Sequence, residues 1–196
     1  GEGEGEGEGE GEGEGEGEGE TVNIPDQHLE TVLREAVGKP TGDILVSDLE
    51  ALDYVGAIGE SIVSIQGLEH CTNATSIDLG QDGITGARNY IVDVSPLASL
   101  TKLTQLTLSG NEIEDLSPLQ GLSNLLTLSL TKNRISNLGA LSEVKNLKRL
   151  YLDDNEISDL TPLASLKTLT RISLARNAIT SLAGLEGLTA LANLTL

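Results

Sequence analysis

The sequence contains no Phe, Trp or Met, and only three Tyr and one Cys among its 196 residues. A lone cysteine excludes a disulfide within the chain. Without large aromatic side chains, a core has to be built from Leu, Ile and Val, which suits a regular, repeated packing unit. Basic residues are scarce as well. The chain contains 12 Lys and Arg but 31 Asp and Glu, which gives a formal net charge of −19. Nucleic acid is therefore not expected as a partner, since phosphate binding requires a basic surface.

Long apolar runs are also absent from the sequence. No long stretch of consecutive apolar residues occurs, and no charged and apolar leader segment is visible. The sequence therefore predicts neither a membrane span nor a signal peptide within these residues.

The segment 1–20 alternates Gly and Glu without exception. Ten of the 31 Asp and Glu lie in this Gly-Glu tract, so the remainder of the chain carries 21 acidic and 12 basic side chains, a net charge of −9. Three interpretations are open. The tract is a disordered acidic tail, as its composition favours, or an ordered strand held by neighbouring chains in a fibre, or a placeholder for a tail of uncertain sequence.

A 22-residue repeat dominates the rest of the chain. Four complete copies begin at Leu103, Leu125, Leu147 and Leu169, and the first reads LTQLTLSGNEIEDLSPLQGLSN. A fifth copy opens at Leu191 with LANLTL. Such a period is typical of solenoids, in which one turn cannot fold alone and each turn is stabilised by burial against its neighbours.

Two less regular turns come before these copies. Ile77 and Leu79 occupy consensus positions, but the Asn that should follow is delayed to Asn89, so this turn is longer than the others, with seven extra positions in or near QDGITGA. A degenerate copy of the repeat precedes this turn and begins at Leu52. The glycines around QDGITGA are followed by neither a Lys nor a helix, so a rim bulge explains them better than a phosphate-binding loop.

Each position of the repeat predicts a local structure. The L-x-x-L-x-L stretch is expected to form a short strand that pairs in parallel with the next turn. A buried Asn amide directly after it can pair with backbone groups that the inward bend leaves open. The expected ladder consists of Asn89, Asn111, Asn133, Asn155 and Asn177. Pro96, Pro118 and Pro162 suit the first position of a short 3₁₀ turn on the opposite side.

The segment IPDQHLETVLREAVGK predicts a helix that caps the N-terminal end of the solenoid. Pro25 and Asp26 are typical of a helix start, and Gly38 is typical of a helix end. SDLEAL predicts a second short helix with Ser47 as its N-cap. Residues 21–51 are therefore expected to form a helical cap.

These signals divide the chain into the tract at 1–20, the cap, and leucine-rich repeats at 52–196. The sequence stops at Leu196 in the middle of a predicted strand, so we expect no C-terminal cap. An uncapped end exposes both core and strand edge. Two explanations are open: the chain is a cut from a longer repeat protein, or another subunit supplies the cap.

The run NEIEDLSPLQGLSNL, the 22-residue period and the preceding helix resemble the internalin-like class of bacterial leucine-rich repeat proteins, over about residues 22–196. The resemblance implies a right-handed α/β solenoid with a parallel β-sheet on its concave face and 3₁₀ turns on its convex face. It also implies an extracellular or cell-surface location, protein partners bound on the concave face, and no catalysis.

Carried over position by position, the resemblance assigns a set of residues to the concave face. They are Gln105, Thr107, Ser109, Thr127, Ser129, Thr131, Arg149, Tyr151, Asp153, Arg171, Ser173 and Arg176. Most of them are Ser or Thr, whereas binding hot spots favour Trp, Tyr and Arg. The expected anchor patch is Arg149, Tyr151, Asp153, Asp154, Arg171 and Arg176. The alternative is a solvated sheet face without a partner.

Few residues suggest catalysis or a cofactor. Cys71, next to His70, occupies a consensus Leu position, which indicates a buried and inert thiol. His28 is expected on the solvent side of the first helix. Asp153, Asp154 and Glu156 could hold Ca²⁺ weakly, although their spacing is not that of an EF-hand. No cofactor is therefore expected, and the chain is not expected to be an enzyme.

Two functions follow from these observations. The first is a secreted or cell-surface binding or adhesion module of bacterial type. The second is a structural subunit of an extracellular filament, assembled through the Gly-Glu strand and the uncapped end, because head-to-tail contacts of this kind do not close.

Overall fold

The computed structural model describes residues 19–196. Within this range the chain forms two helices, α1 (Gln27–Val37) and α2 (Val46–Glu50), followed by seven three-residue strands. The strands are β1 (Tyr54–Gly56), β2 (Ser76–Asp78), β3 (Gln105–Thr107), β4 (Thr127–Ser129), β5 (Arg149–Tyr151), β6 (Arg171–Ser173) and β7 (Asn193–Thr195). Five 3₁₀ turns lie between them, at Leu68–His70, Ser95–Leu97, Ser117–Leu119, Gly139–Glu143 and Thr161–Ser165.

The strands form one parallel sheet in chain order from β1 to β7. Equivalent repeat positions pair in register, so that Leu128 lies between Leu106 and Leu150. Only the central part of each L-x-x-L-x-L motif forms a strand, because the chain turns towards the core directly afterwards. The predicted leucine-rich repeat solenoid with a helical N-terminal cap is confirmed.

The core is a continuous column of Leu, Ile and Val between the sheet and the 3₁₀ turns. In three turns an Asp carboxylate accepts hydrogen bonds from both the N–H and the hydroxyl of the first residue of the 3₁₀ turn, as Asp93 does from Ser95. Pro96 is therefore the second residue of its turn, and the predicted first position is wrong. The missing N–H still costs nothing there, because the first residues of such a turn donate no hydrogen bond within it.

Helix α1 begins after Asp26 and ends before Gly38, which adopts a left-handed backbone (φ 70°), as the sequence predicts. One carboxylate oxygen of Asp26 accepts from the N–H groups of His28 and Leu29. The other accepts from Val63 and Ser64 of the first repeat, at 2.8 and 3.1 Å. Asp26 therefore both caps the helix and fastens it to the solenoid.

The second helix differs from the prediction at its start. Leu45, not Ser47, is the N-cap residue of α2, because the Asp48 carboxylate turns back and accepts a hydrogen bond from the Leu45 N–H at 2.8 Å. The same carboxylate pairs with Lys39 at 2.7 Å. The cap is therefore set by an acidic residue inside the helix, and the Ser47 hydroxyl is not needed.

The seven extra residues of the long turn form a closed loop between Leu79 and Asn89. The N–H of Asp82 donates to Ala87 O at 2.7 Å, which joins the two ends of the loop. The Asp82 carboxylate accepts from the Ile84 N–H and the Thr85 hydroxyl. Ile84 is 97% exposed at the tip. The loop leaves the sheet undisturbed, since β2 and β3 stay in register.

The ends of the chain bear on the filament hypothesis. Residues 1–18, on which the predicted strand between subunits depends, lie outside the described residues. Just after them, Thr21 forms an isolated antiparallel bridge with Leu45. Leu194 and Leu196 are 41% and 60% exposed on and after β7. Assembly into a filament stays a prediction.

The helices of the described part of the chain are short. Within residues 19–196, no helix combines the length and apolar character that crossing a membrane requires.

Candidate functional site

The concave face is the side of the sheet that points away from the core. Two rows of side chains cover it, because the first and third residues of each strand point away from the core. The second residue is buried in β1 to β6, whereas in β7 it is the exposed Leu194. The first residues make up a leading row: Tyr54, Ser76, Gln105, Thr127, Arg149, Arg171 and Asn193. The third residues make up a trailing row: Gly56, Asp78, Thr107, Ser129, Tyr151, Ser173 and Thr195.

Arg149 and Arg171 are register partners in the leading row and both side chains are exposed. Within residues 19–196 neither of them forms an ion pair, and the polar contact of the Arg149 guanidinium is a long hydrogen bond of 3.4 Å to the Thr127 hydroxyl. Two like charges side by side on adjacent strands repel each other. The sheet therefore holds two uncompensated guanidinium groups next to each other.

Tyr151 lies beside this pair on the trailing row, half-buried, between Ser129 and Ser173. The next outward-facing residue, Asp153, accepts hydrogen bonds from Ser173 Oγ at 2.6 Å and from the Ala175 N–H at 3.0 Å. One oxygen of the Asp153 carboxylate thus already has two hydrogen-bond donors within the protein. The free charge of the patch is concentrated on the two arginines.

Asp154 and Arg176 lie on the turns that follow β5 and β6, at the rim of the concave face. Both have left-handed backbones (φ 56°), and the equivalent position in an earlier turn is Gly110 (φ 77°). The Arg176 guanidinium donates to both carboxylate oxygens of Asp154. This hydrogen bonding holds the pKa of Asp154 below its ordinary value. The six predicted patch residues therefore divide into an unpaired part on the sheet and a paired part on the rim.

The carboxylates considered for Ca²⁺ do not converge. One oxygen of Asp153 accepts from Ser173, and both oxygens of Asp154 accept from Arg176. In the part of the chain that the structure describes, no group of three or more His, Cys, Asp or Glu side chains is arranged to hold a metal ion.

The five asparagines of the predicted ladder lie one above another, each linking two turns. Asn133 shows the pattern: its Nδ2 donates to Leu108 O of the preceding turn and to Leu130 O of its own turn, both at 3.0 Å. Its Oδ1 accepts from the Ile113 N–H of the preceding turn. Equivalent bonds are made by Asn89, Asn111, Asn155 and Asn177. Four of the five are buried, and Asn177 is half-buried.

The cysteine and the histidines do not form a nucleophilic pair. Cys71 is fully buried in the core column, and burial, reinforced by the charge of Glu69, raises the pKa of its thiol to about 12. His70 lies 3.9 Å from Glu69 on the surface. His28 is exposed and its Nδ1 lies 3.4 Å from Ser61 O. Cys71 is thus enclosed by the core, and its raised pKa keeps the thiol protonated at neutral pH.

Three comparisons place this architecture among known proteins. A leucine-rich repeat family model matches residues 98–184. An internalin (InlF) from Listeria monocytogenes has a similar structure, with 30% identity and a TM-score of 0.68, over 87% of this chain and 56% of that one. An internalin C2 (InlC2) from the same species is similar at 29% identity and a TM-score of 0.59, over 88% of this chain and 93% of that one. No curated protein sequence matches significantly.

The similarity to the two internalins agrees with the leucine-rich repeat fold described above. The chain spans little more than half of the InlF structure, and a shared fold does not by itself transfer a function. Parallel strands in register, 3₁₀ turns and a helical cap are all features that the sequence patterns predicted. The chain has the leucine-rich repeat fold and is internalin-like.

Proposed function

We propose that the chain is a protein-binding module that acts at the surface of, or outside, a bacterial cell and binds its partner on the concave face. The observation that carries this proposal is the exposed pair Arg149 and Arg171 with Tyr151 beside them. Arg and Tyr are the residue types in which binding energy concentrates, and here they stand on a rigid sheet. Much of the rest of that face presents short hydroxyl side chains, which leave room for a partner backbone to approach.

The location and the absence of catalysis belong to the same proposal. Internalin-like repeats serve as interaction scaffolds, and the only cysteine of the chain is fully buried, which raises the pKa of its thiol. We infer the same division of the chain as above: a cap at residues 21–51 and a binding solenoid at 52–196. The rim pair of Asp154 and Arg176 would border the contact area, where charges contribute less than central anchors do.

A capture experiment tests the proposal. The full-length chain is immobilised and exposed to solubilised cell-surface proteins, in parallel with a variant that carries Arg149→Ala, Tyr151→Ala and Arg171→Ala. A partner of the concave face should bind the variant at least about 30-fold more weakly, as expected when central hot-spot residues are lost. The matched control carries Lys102→Ala, Lys145→Ala and Lys167→Ala, three exposed cations outside the concave face.

The control variant should capture the same proteins as the original chain. Recovery of every protein in equal amounts on all three surfaces would refute binding through this face. Thermal unfolding of each variant is followed in parallel, because a loss of capture counts only if the variant melts as the original chain does.

A further inference from the structure

We infer that Arg149 and Arg171 form a receptor for a pair of carboxylates, so that the partner presents an acidic segment lying along the leading row. This inference rests on the proposed function, because it names the chemistry of the partner at the same face. It also makes a separate claim, since a concave-face partner could instead bind through apolar or neutral polar contacts.

The first observation is how the six arginines are distributed. Four of them have carboxylate partners: Arg34 with Glu30, Arg88 and Arg134 with Glu112, and Arg176 with Asp154. The two without a carboxylate partner within residues 19–196 are neighbours in the same row. None of the Asp and Glu side chains of residues 19–196 lies within ion-pair distance of either guanidinium, although acidic residues outnumber basic ones in this part of the chain.

The second observation is the composition of the row itself. None of the seven leading-row residues is Asp or Glu, and every one of them carries a hydroxyl, amide or guanidinium donor. A segment that crosses the strands therefore meets donors from Tyr54 at one end to Asn193 at the other. Lys148, exposed and directly before Arg149, adds a third positive charge to the same edge.

The geometry limits what can bind. Neighbouring strands are about 4.8 Å apart, so the two guanidinium groups match carboxylates at a similar separation, as on nearby acidic residues of one extended segment. Asp153 and Asp154 lie at the opposite ends of the strands, beyond Tyr151. The acidic segment therefore runs across the strand starts, where no carboxylate of the row repels it.

The net charge of the protein repels an acidic partner at long range, whereas direct contact with the two guanidinium groups favours its binding. The repeats and cap carry a net charge of −9, which slows the approach of an acidic protein at low salt. Once docked, each guanidinium can hold one carboxylate through two parallel hydrogen bonds. Specificity therefore depends on local geometry at these two residues, and general basicity of the protein has no part in it.

The test is a titration of the full chain with synthetic hexaglutamate, followed by the NMR signals of the arginine Nε–H groups. Hexaglutamine is the uncharged control peptide. Only the Arg149 and Arg171 signals should shift, and hexaglutamate should bind about 2- to 30-fold more tightly than hexaglutamine, as two exposed ion pairs allow. The four paired arginines serve as internal controls. Equal shifts at all six arginines, or none at all, would overturn the inference.

The variant Arg171→Glu sharpens the test. It places opposite charges side by side at positions 149 and 171, so the melting temperature should stay the same or rise, while the preference for hexaglutamate disappears. Lys145→Glu makes the same change of net charge outside the concave face and should retain that preference. A preference that survives Arg171→Glu, or is lost equally in Lys145→Glu, contradicts a receptor at this pair.

The outcome separates this inference from the proposed function. If a captured partner needs Tyr151 and is retained by Arg171→Glu, the concave face binds proteins and the acidic receptor is wrong. If hexaglutamate shifts Arg149 and Arg171 and no protein depends on the concave residues, the receptor stands and the proposed function fails.

Discussion

The side-chain oxygen of Asn133 accepts a hydrogen bond of 3.0 Å from the backbone N–H of Ile113, which belongs to the preceding turn. The same amide group donates to carbonyls of both turns. Asn133 is thus the partner of the buried Ile113 N–H, and it shares the two carbonyls with its neighbours in the ladder, since Leu108 O also accepts from Asn111 and Leu130 O from Asn155.

Asn133→Ala should lower the free energy of unfolding by about 1–3 kcal/mol, because the buried Ile113 N–H loses its partner. Chemical denaturation measures the change. The control is Asn124→Ala, since Asn124 is exposed and donates one hydrogen bond to Thr101 O. Equal stability of Asn133→Ala and the original chain would show that the ladder does not stabilise the fold.

Asp26→Ala should destabilise the cap by at least about 1 kcal/mol, the usual contribution of a helix N-cap. The loss of the hydrogen bonds to Val63 and Ser64 adds to this, so α1 should show faster hydrogen exchange than the central turns. Asp43→Ala is a matched control on the exposed surface of the cap. Unchanged exchange in α1 would contradict the fastening role of Asp26.

The same carboxylate predicts how stability depends on pH. Burial raises the pKa of Asp26, but hydrogen bonds from Val63, Ser64, Leu29 and His28 outweigh this and lower it overall. A lowered folded-state pKa stabilises the protein above the ordinary pKa of Asp, and this contribution is lost as the pH falls through the folded-state value. The difference in melting temperature between the original chain and Asp26→Ala should therefore shrink in strong acid. A difference that stays constant from neutral to strongly acidic pH would count against this carboxylate.

The long turn should tolerate reduction to the length of the other turns. Deleting residues 82–88 together with Gln81→Gly restores the 22-residue spacing and places a glycine at the left-handed position that Gly110 occupies in the next turn. Because a shorter loop costs less closure entropy and only surface contacts are lost, stability should change by less than about 1 kcal/mol. Loss of a cooperative melting transition would show that the loop supports the sheet.

Much of the fold could be predicted because the repeat position of a residue fixes its surroundings. Leu128 and Leu150 are in register because they are one repeat apart, and the same spacing joins Glu112 to Arg134 and Asp154 to Arg176. These two ion pairs can be found in the sequence from the spacing of their residues, although the residue types alone do not identify them. A search for opposite charges one repeat apart finds both pairs and leaves Arg149 and Arg171 unpaired, but it also finds Lys132 with Asp154 and Arg134 with Glu156, which form no ion pair.

Features outside the periodic pattern could not be predicted in the same way. The contact of Asp26 with Val63 depends on how the cap docks onto the first turn, and no repeat relates these two residues. Residue preference alone favours Ser47 at the start of α2, whereas the reach of Asp48 back to Leu45 decides it. The binding role of the concave patch stays a prediction, because residue types and exposure do not identify a partner.

The Asn ladder gives the solenoid a direction. Each of these amides reaches to its own turn and to the turn before it, so a turn is completed only when the following one has arrived. A chain that emerges from the ribosome starting at its N-terminus presents the turns in this order. Every newly synthesised repeat can therefore stabilise the preceding repeat. The solenoid can fold during translation, because no turn depends on contacts with distant segments.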